Sequence, residues 1–208
     1  MWYIPALQYI PDEIKDYAQW VVWNKQSDVL SWKDYRRGYT LYHPRTGEPA
    51  NVYDPLTWGT YEEACEASGG YEGIGFVFTK YDPFVGISIN HCRNESVLTK
   101  EVNTLMRQVV SYTEFSPHEK SIHIIGKGKV KDCPEIDGYW CRGNIAVNSW
   151  DRFLPFKGNT ILQVPIRNVQ PLLDCLAQTY KIEHGKPENA FEELVFQVIW
   201  KNQRYYLW

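Results

Sequence analysis

No stretch of this sequence approaches the roughly 18 consecutive apolar residues that a membrane-spanning helix needs. Its opening, MWYIPALQYIPDEIKD, has no basic lead into an apolar run. Neither export nor membrane spanning is therefore indicated, and a soluble cytoplasmic protein is expected. Paired cysteines are lacking as well: Cys65, Cys92, Cys133, Cys141 and Cys175 are scattered and contain no CxxC. Reduced thiols are the expectation. A zinc site built from Cys133, Cys141 and His91 would have irregular spacing, and buried free cysteine is the plainer reading. Nor is there a dominant charge. The formal net charge is −3, with an acidic first half and a slightly basic second half, so any basic groove must be local. GKGK (126–129) lacks the spacing of a phosphate-binding loop. Without a secretion signal the sequon NES (94–96) is incidental, and no Ser-His-Asp or Cys-His set stands out by spacing.

What the chain does have is core-forming material. Its 208 residues are 44% hydrophobic and include nine Trp and fifteen Tyr, ample for a core without staples. Aromatics at this density serve cores and binding surfaces alike. A short helix is expected around 12–18, and WVVW (20–23) reads as a buried strand. A loop-rich stretch follows, and then Thr60 and Glu63 form a capping box for a helix through about Ser68. GIGFVFT (73–79) and FVGISIN (84–90), joined by KYDP, read as a β-hairpin. In residues 96–110, Leu98, Val102, Leu105, Met106, Val109 and Val110 share one helical face.

SIHIIGKG (121–128), NIAVN (144–148) and RFLPF (152–156) supply three further strands. Pro171 opens a helix to about Tyr180, and NAFEELVFQVIWKNQRYYLW reads as a C-terminal amphipathic helix. The fold class expected is α+β, an antiparallel sheet covered by helices. Residues 1–160 would form the core, with 161–208 as a helical segment packed on it.

Alternation within the strands is the most informative feature. Val85, Ile87 and Ile89 point one way, while Ser88 and Asn90 point the other. By the same parity Ile122 and Ile124 oppose His123, and Ile145 and Val147 oppose Ala146. If these strands are neighbours, Ser88, Asn90, His123 and Ala146 gather on one face away from the core.

The ordered series WVVW, HPRTGEPANVYDPLTWGTYEEA, GIGFVFTKYDPFVGISINHC, SYTEFSPHEKSIHIIGKG and RFLPFKGN resembles the catalytic core of phage and plasmid primase-polymerases, a branch of the archaeo-eukaryotic primase superfamily. The resemblance covers roughly residues 20–160 and implies an RRM-like sheet with nucleotide and template on its open face. It also implies two acids on one strand and a third on a later strand, holding divalent metal ions. In this chain those positions hold Ser88, Asn90 and Ala146. A hydroxyl, a neutral amide and a methyl group replace three negative charges, and hard divalent cations bind through anionic oxygen. Asp82, Glu95 and Asp151 lie nearby in sequence but do not together restore a two-metal site.

His123 matches the family's triphosphate-contacting histidine, with Lys127 and Lys129 as phosphate partners and Arg152 opening the family's R-F/Y-x-x-x-T-G segment, where Lys157 replaces the threonine. For His123 a hydrogen-bonded sheet histidine is an equal alternative, and the lysines could form a solvated edge strand. The reading is thus a primase-polymerase-like pseudoenzyme of phage or mobile-element origin, with no catalytic residue and no cofactor. It would act by binding a nucleotide, a single-stranded nucleic acid (with Arg142 adding charge) or a protein partner, for instance to inhibit a host defence or replication factor. The aromatic ends MWY and RYYLW lean towards a protein partner. The alternative is an active primase or polymerase using magnesium or manganese with an unusual ligand set.

Overall fold

The computed structural model describes residues 5–25, 38–90, 92–94, 97–130, 139–142 and 145–182. In chain order the helices are α1 (Asp12–Lys15), α2 (Tyr61–Ala67), α3 (Lys100–Val109) and α4 (Gln170–Ile182). The strands are β1 (Trp20–Lys25), β2 (Tyr39–Tyr42), β3 (Gly73–Phe78), β4 (Phe84–Asn90), β5 (Arg93–Asn94), β6 (Val97–Leu98) and β7 (Thr113–Phe115). They continue with β8 (Ser121–Lys127), β9 (Tyr139–Arg142), β10 (Ile145–Asn148), β11 (Arg152–Phe156), β12 (Thr160–Leu162) and β13 (Arg167–Asn168).

The fold is mixed α and β, but its strands form two main antiparallel sheets where one was expected. The first has the order β11-β3-β1-β2 and the second β12-β7-β8-β4-β10-β9, with β13 added in parallel to the end of β8. The expected hairpin between GIGFVFT and FVGISIN does not form, because β3 pairs with β1 and β11 while β4 pairs with β8 and β10. Asp82 supplies the physical reason. Its buried carboxylate accepts hydrogen bonds from the Thr79 amide (2.6 Å) and hydroxyl (2.9 Å), the Phe84 amide (2.8 Å) and the Gln19 side chain (2.9 Å). These bonds tie Asp82 to the residues flanking the KYDP connector, and the Tyr81 and Asp82 amides donate to the Thr79 hydroxyl, so the connector closes on itself as the chain passes from one sheet to the other.

The two faces of the second sheet have different fates. Val85, Ile87, Ile89, Ile122, Ile124, Ile145 and Val147 bury against Val102, Leu105 and Met106 of α3 and Leu172, Leu173 and Leu176 of α4. Each such side chain contributes about 1.5–3 kcal/mol on burial. Val110, expected on this helical face, instead stands beyond the end of α3 in the left-handed region (φ 44°) and is 45% exposed. Leu98 falls in β6 and not in the helix, although it still packs against the same core. A second core joins Trp20, Ile74, Phe76, Phe78, Leu154 and Phe156 of the first sheet to Phe84 and Ile125 of the second. The capping box at Thr60 and Glu63 is present. The expected C-terminal helix after residue 182 lies outside the described residues.

Candidate nucleotide and nucleic-acid site

Strand register answers the adjacency question. Ser88 faces His123 on one side and Ala146 on the other, and His123 faces Glu114 on β7. One row therefore runs Glu114, His123, Ser88, Ala146 across four strands. Asn90 lies one step along, opposite Ser121, whose hydroxyl donates to the Asn90 side-chain oxygen at 2.7 Å.

The row is covered, however, where an open face was expected. Ser88 is 5% exposed, His123 3% and Ala146 6%, whereas Asn90 is exposed. Strand β11 lies over it: the His123 ring donates to the Pro155 carbonyl, and a Cβ added to Gly86 would sit 2.9 Å from Leu154 and 3.0 Å from Phe78. Only a residue without a side chain fits at Gly86 without displacing them. Three buried polar atoms on this face, Ser88 Oγ, His123 Nδ1 and Asn148 Nδ2, have no hydrogen-bond partner among the described residues. Asn148 is opposite Gly86. Buried polar atoms are normally satisfied, so this strip has unused capacity for a polar ligand.

Two side chains on the row titrate abnormally. Burial pushes the Glu114 carboxyl up to about 7, against hydrogen bonds from the Tyr112 hydroxyl (2.7 Å) and the Lys157 (3.2 Å) and Gly158 (3.1 Å) amides. Burial pulls His123 down to about 4, with the Pro155 carbonyl opposing. The two have opposite consequences for folding. Glu114, raised from 4.5, contributes stability that is present below pH 4.5 and lost as pH rises through about 7. His123, lowered from 6.5, contributes stability that is present above pH 6.5 and lost as pH falls through about 4. Each effect is worth up to about 3 kcal/mol, and they nearly cancel between pH 4.5 and 6.5. Urea denaturation of His123→Gln is expected to show stability falling by about 2–3 kcal/mol from pH 4.5 to 7. A profile as flat as that of the unaltered protein would contradict these environments.

The residues of this strip do not suit a divalent metal ion. Ser88 offers a hydroxyl and Ala146 no donor atom, while Glu114, the carboxylate on the row, is already bound to three donors. No group of three or more His, Cys, Asp or Glu side chains placed to hold a metal occurs among the described residues. Asp82 is committed to the connector, and Asp151 is in a left-handed turn (φ 55°) before β11.

The expected nucleotide-binding residues are not all brought together. Lys127 is four residues along β8 from His123, about 13 Å away at strand rise, and its ammonium is ion-paired with Glu13. Lys129 is exposed, with its backbone held by the Gln170 side chain. Arg152, at the head of β11, is buried. The backbone of Arg142 faces Ile145 on β10, and its side chain, those of Cys133, Cys141 and His91, and the aromatic ends lie outside the described set.

Glu114 and Asn148 were missed by sequence reading. β7 is only three residues long, too short for alternation to register, and Asn148 closes a strand whose apolar residues drew the attention. Parity with Ala146 was the available signal for Asn148.

Over 133 residues, 62% of this chain, the sequence is 36% identical to the DNA primase-polymerase of Nitratiruptor phage NrS-1. The match covers 17% of that relative's length. No family model matches the chain. The resemblance carried by the motifs is thereby supported: this chain contains a stretch similar to a phage primase-polymerase.

Proposed function

We propose that this is a primase-polymerase-like protein of phage or mobile-element origin that does not transfer nucleotides and acts by binding a nucleotide or single-stranded nucleic acid. The observation that carries the reading is the row itself. Ser88 and Ala146 face each other across β4 and β10, at the positions where the resemblance places carboxylates. Their hydroxyl and methyl groups cannot supply the negative charge that would hold divalent cations, and it is such cations that would activate a primer hydroxyl and neutralise a triphosphate. Binding is supported by the polar groups left on this face. His123 has its ring orientation fixed by the Pro155 carbonyl and an unpartnered Nδ1, and Ser88 and Asn148 lie nearby with unpartnered polar atoms.

Thermal unfolding in the presence of manganese or magnesium tests the loss of the metal site. A metal at a hundred times its dissociation constant would stabilise the fold by about 2.7 kcal/mol. No shift attributable to either ion is expected, while a saturable rise in Tm that is abolished by Ser88→Ala would overturn the reading.

A further inference from the structure

Outside the covered row, the molecule gathers positive charge where its two sheets meet. On the first sheet, Lys25 at the end of β1 faces Tyr39. The Tyr39 ring packs on Trp23 at 4.9 Å and on Phe153 at 5.6 Å between centroids. Phe153 lies over Gly75 so closely that a Cβ there would meet the ring at 1.9 Å. Lys157 has the same parity as Phe153 and follows the last residue of β11.

On the second sheet, the turn before β8 carries His118 and Lys120, both exposed. The segment after β11 is tied to this turn: the Phe115 amide donates to the Asn159 carbonyl (2.9 Å), and the Asn159 side chain donates to Glu119 (3.0 Å). The cluster is felt electrostatically at His118, which is held below its ordinary value by desolvation and then by Lys25, Lys157 and Lys120, with Glu72 opposing. None of the three lysines is ion-paired among the described residues.

We propose that this surface, Lys25, Lys120 and Lys157 around His118 with the Tyr39 and Phe153 rings beside it, binds the backbone of a single-stranded nucleic acid. It rests on the nucleic-acid part of the function proposed above and adds a contact outside the row. Lysines neutralise phosphates, and partly exposed aromatic rings offer stacking faces for unpaired bases. In a chain of net charge −3 such attraction must come from a local cluster. The surface adjoins the exposed Asn90 beside the row, since Lys120 immediately precedes Ser121, the partner of Asn90.

The test is fluorescence anisotropy of a labelled oligothymidylate with the full chain, its Lys25→Gln/Lys120→Gln/Lys157→Gln variant, and Lys80→Gln as a control on the β3–β4 connector. Three lysine–phosphate contacts predict that affinity of the unaltered protein falls about 20-fold between about 50 and 200 mM salt. The triple variant is expected to bind at least about tenfold more weakly at the lower salt and to lose most of the salt dependence, while Lys80→Gln behaves as the unaltered protein. A triple variant that keeps both affinity and salt slope overturns this surface and leaves nucleic-acid binding elsewhere intact. An unaltered protein that does not bind the oligonucleotide overturns the surface and the nucleic-acid partner together, without bearing on the loss of transfer. Equal competition by polyglutamate would assign the surface to an acidic peptide instead.

Discussion

Ser88→Asp combined with Ala146→Glu is expected to destabilise the protein by about 3–5 kcal/mol in the presence of a chelator, and manganese is expected to restore most of that loss. The two positions are direct cross-strand partners, 5% and 6% exposed. Two carboxylates introduced there would lie about 5 Å apart, where like charges repel by about 3 kcal/mol at an effective dielectric of 20. Desolvation adds to this, and no cationic side chain occupies the row between Glu114 and Ala146. The loss should deepen with rising pH, because protonation relieves both terms. A divalent cation between the carboxylates reverses the balance by supplying charge where the fold has none. Urea denaturation with chelator and with manganese measures both parts. A variant as stable as the unaltered protein without metal would show that the row is not buried, and a loss that manganese leaves unchanged would show that these positions do not form a metal cradle.

Asp82→Ala is expected to cost about 3–5 kcal/mol, with Asp82→Asn nearly as damaging. One Asp82 oxygen accepts from the Thr79 amide, the Thr79 hydroxyl and the Gln19 side chain, and the other accepts from the Phe84 amide. Alanine strands four donors in a site where the carboxylate is 4% exposed. Asparagine must aim its NH2 group at one side or the other, placing donor against donor. A loss below about 1 kcal/mol in either variant, the size of an ordinary surface change, would show that the connector does not depend on this carboxylate.

The strands were legible where alternation was long enough to read. FVGISIN and SIHIIGK each offer seven residues of clear parity, and RFLPF is flanked by turn residues on both sides. The row of Ser88, His123 and Ala146 followed from parity plus adjacency, and register supplied the adjacency. Partition of the strands between two sheets was not legible. A short connector rich in turn residues looks the same whether it closes a hairpin or passes between layers, and the difference lies in contacts from Gln19, more than sixty residues away in sequence. The covering of the row was hidden for a similar reason, since Leu154 and Phe78 reach Gly86 from the other sheet.

Short strands such as β7 and β12 carry too few residues for a period to emerge. Glu114 could not be singled out because its partners, the Lys157 and Gly158 amides, are backbone groups from a distant segment. The lysine cluster was equally silent, since Lys25, Lys120 and Lys157 are far apart in the chain and act together on His118 only once the chain is folded.

The most direct test of the central claim is primer synthesis and primer extension with manganese and all nucleotides, comparing the unaltered protein with a version carrying Ser88→Asp, Asn90→Asp and Ala146→Glu. The absence of a carboxylate at positions 88, 90 and 146 predicts no product from the unaltered protein under conditions in which it remains folded. Product from the unaltered protein, retained after Ser88→Ala and lost after substitution of some other carboxylate, would contradict the account and locate the metal ligands elsewhere.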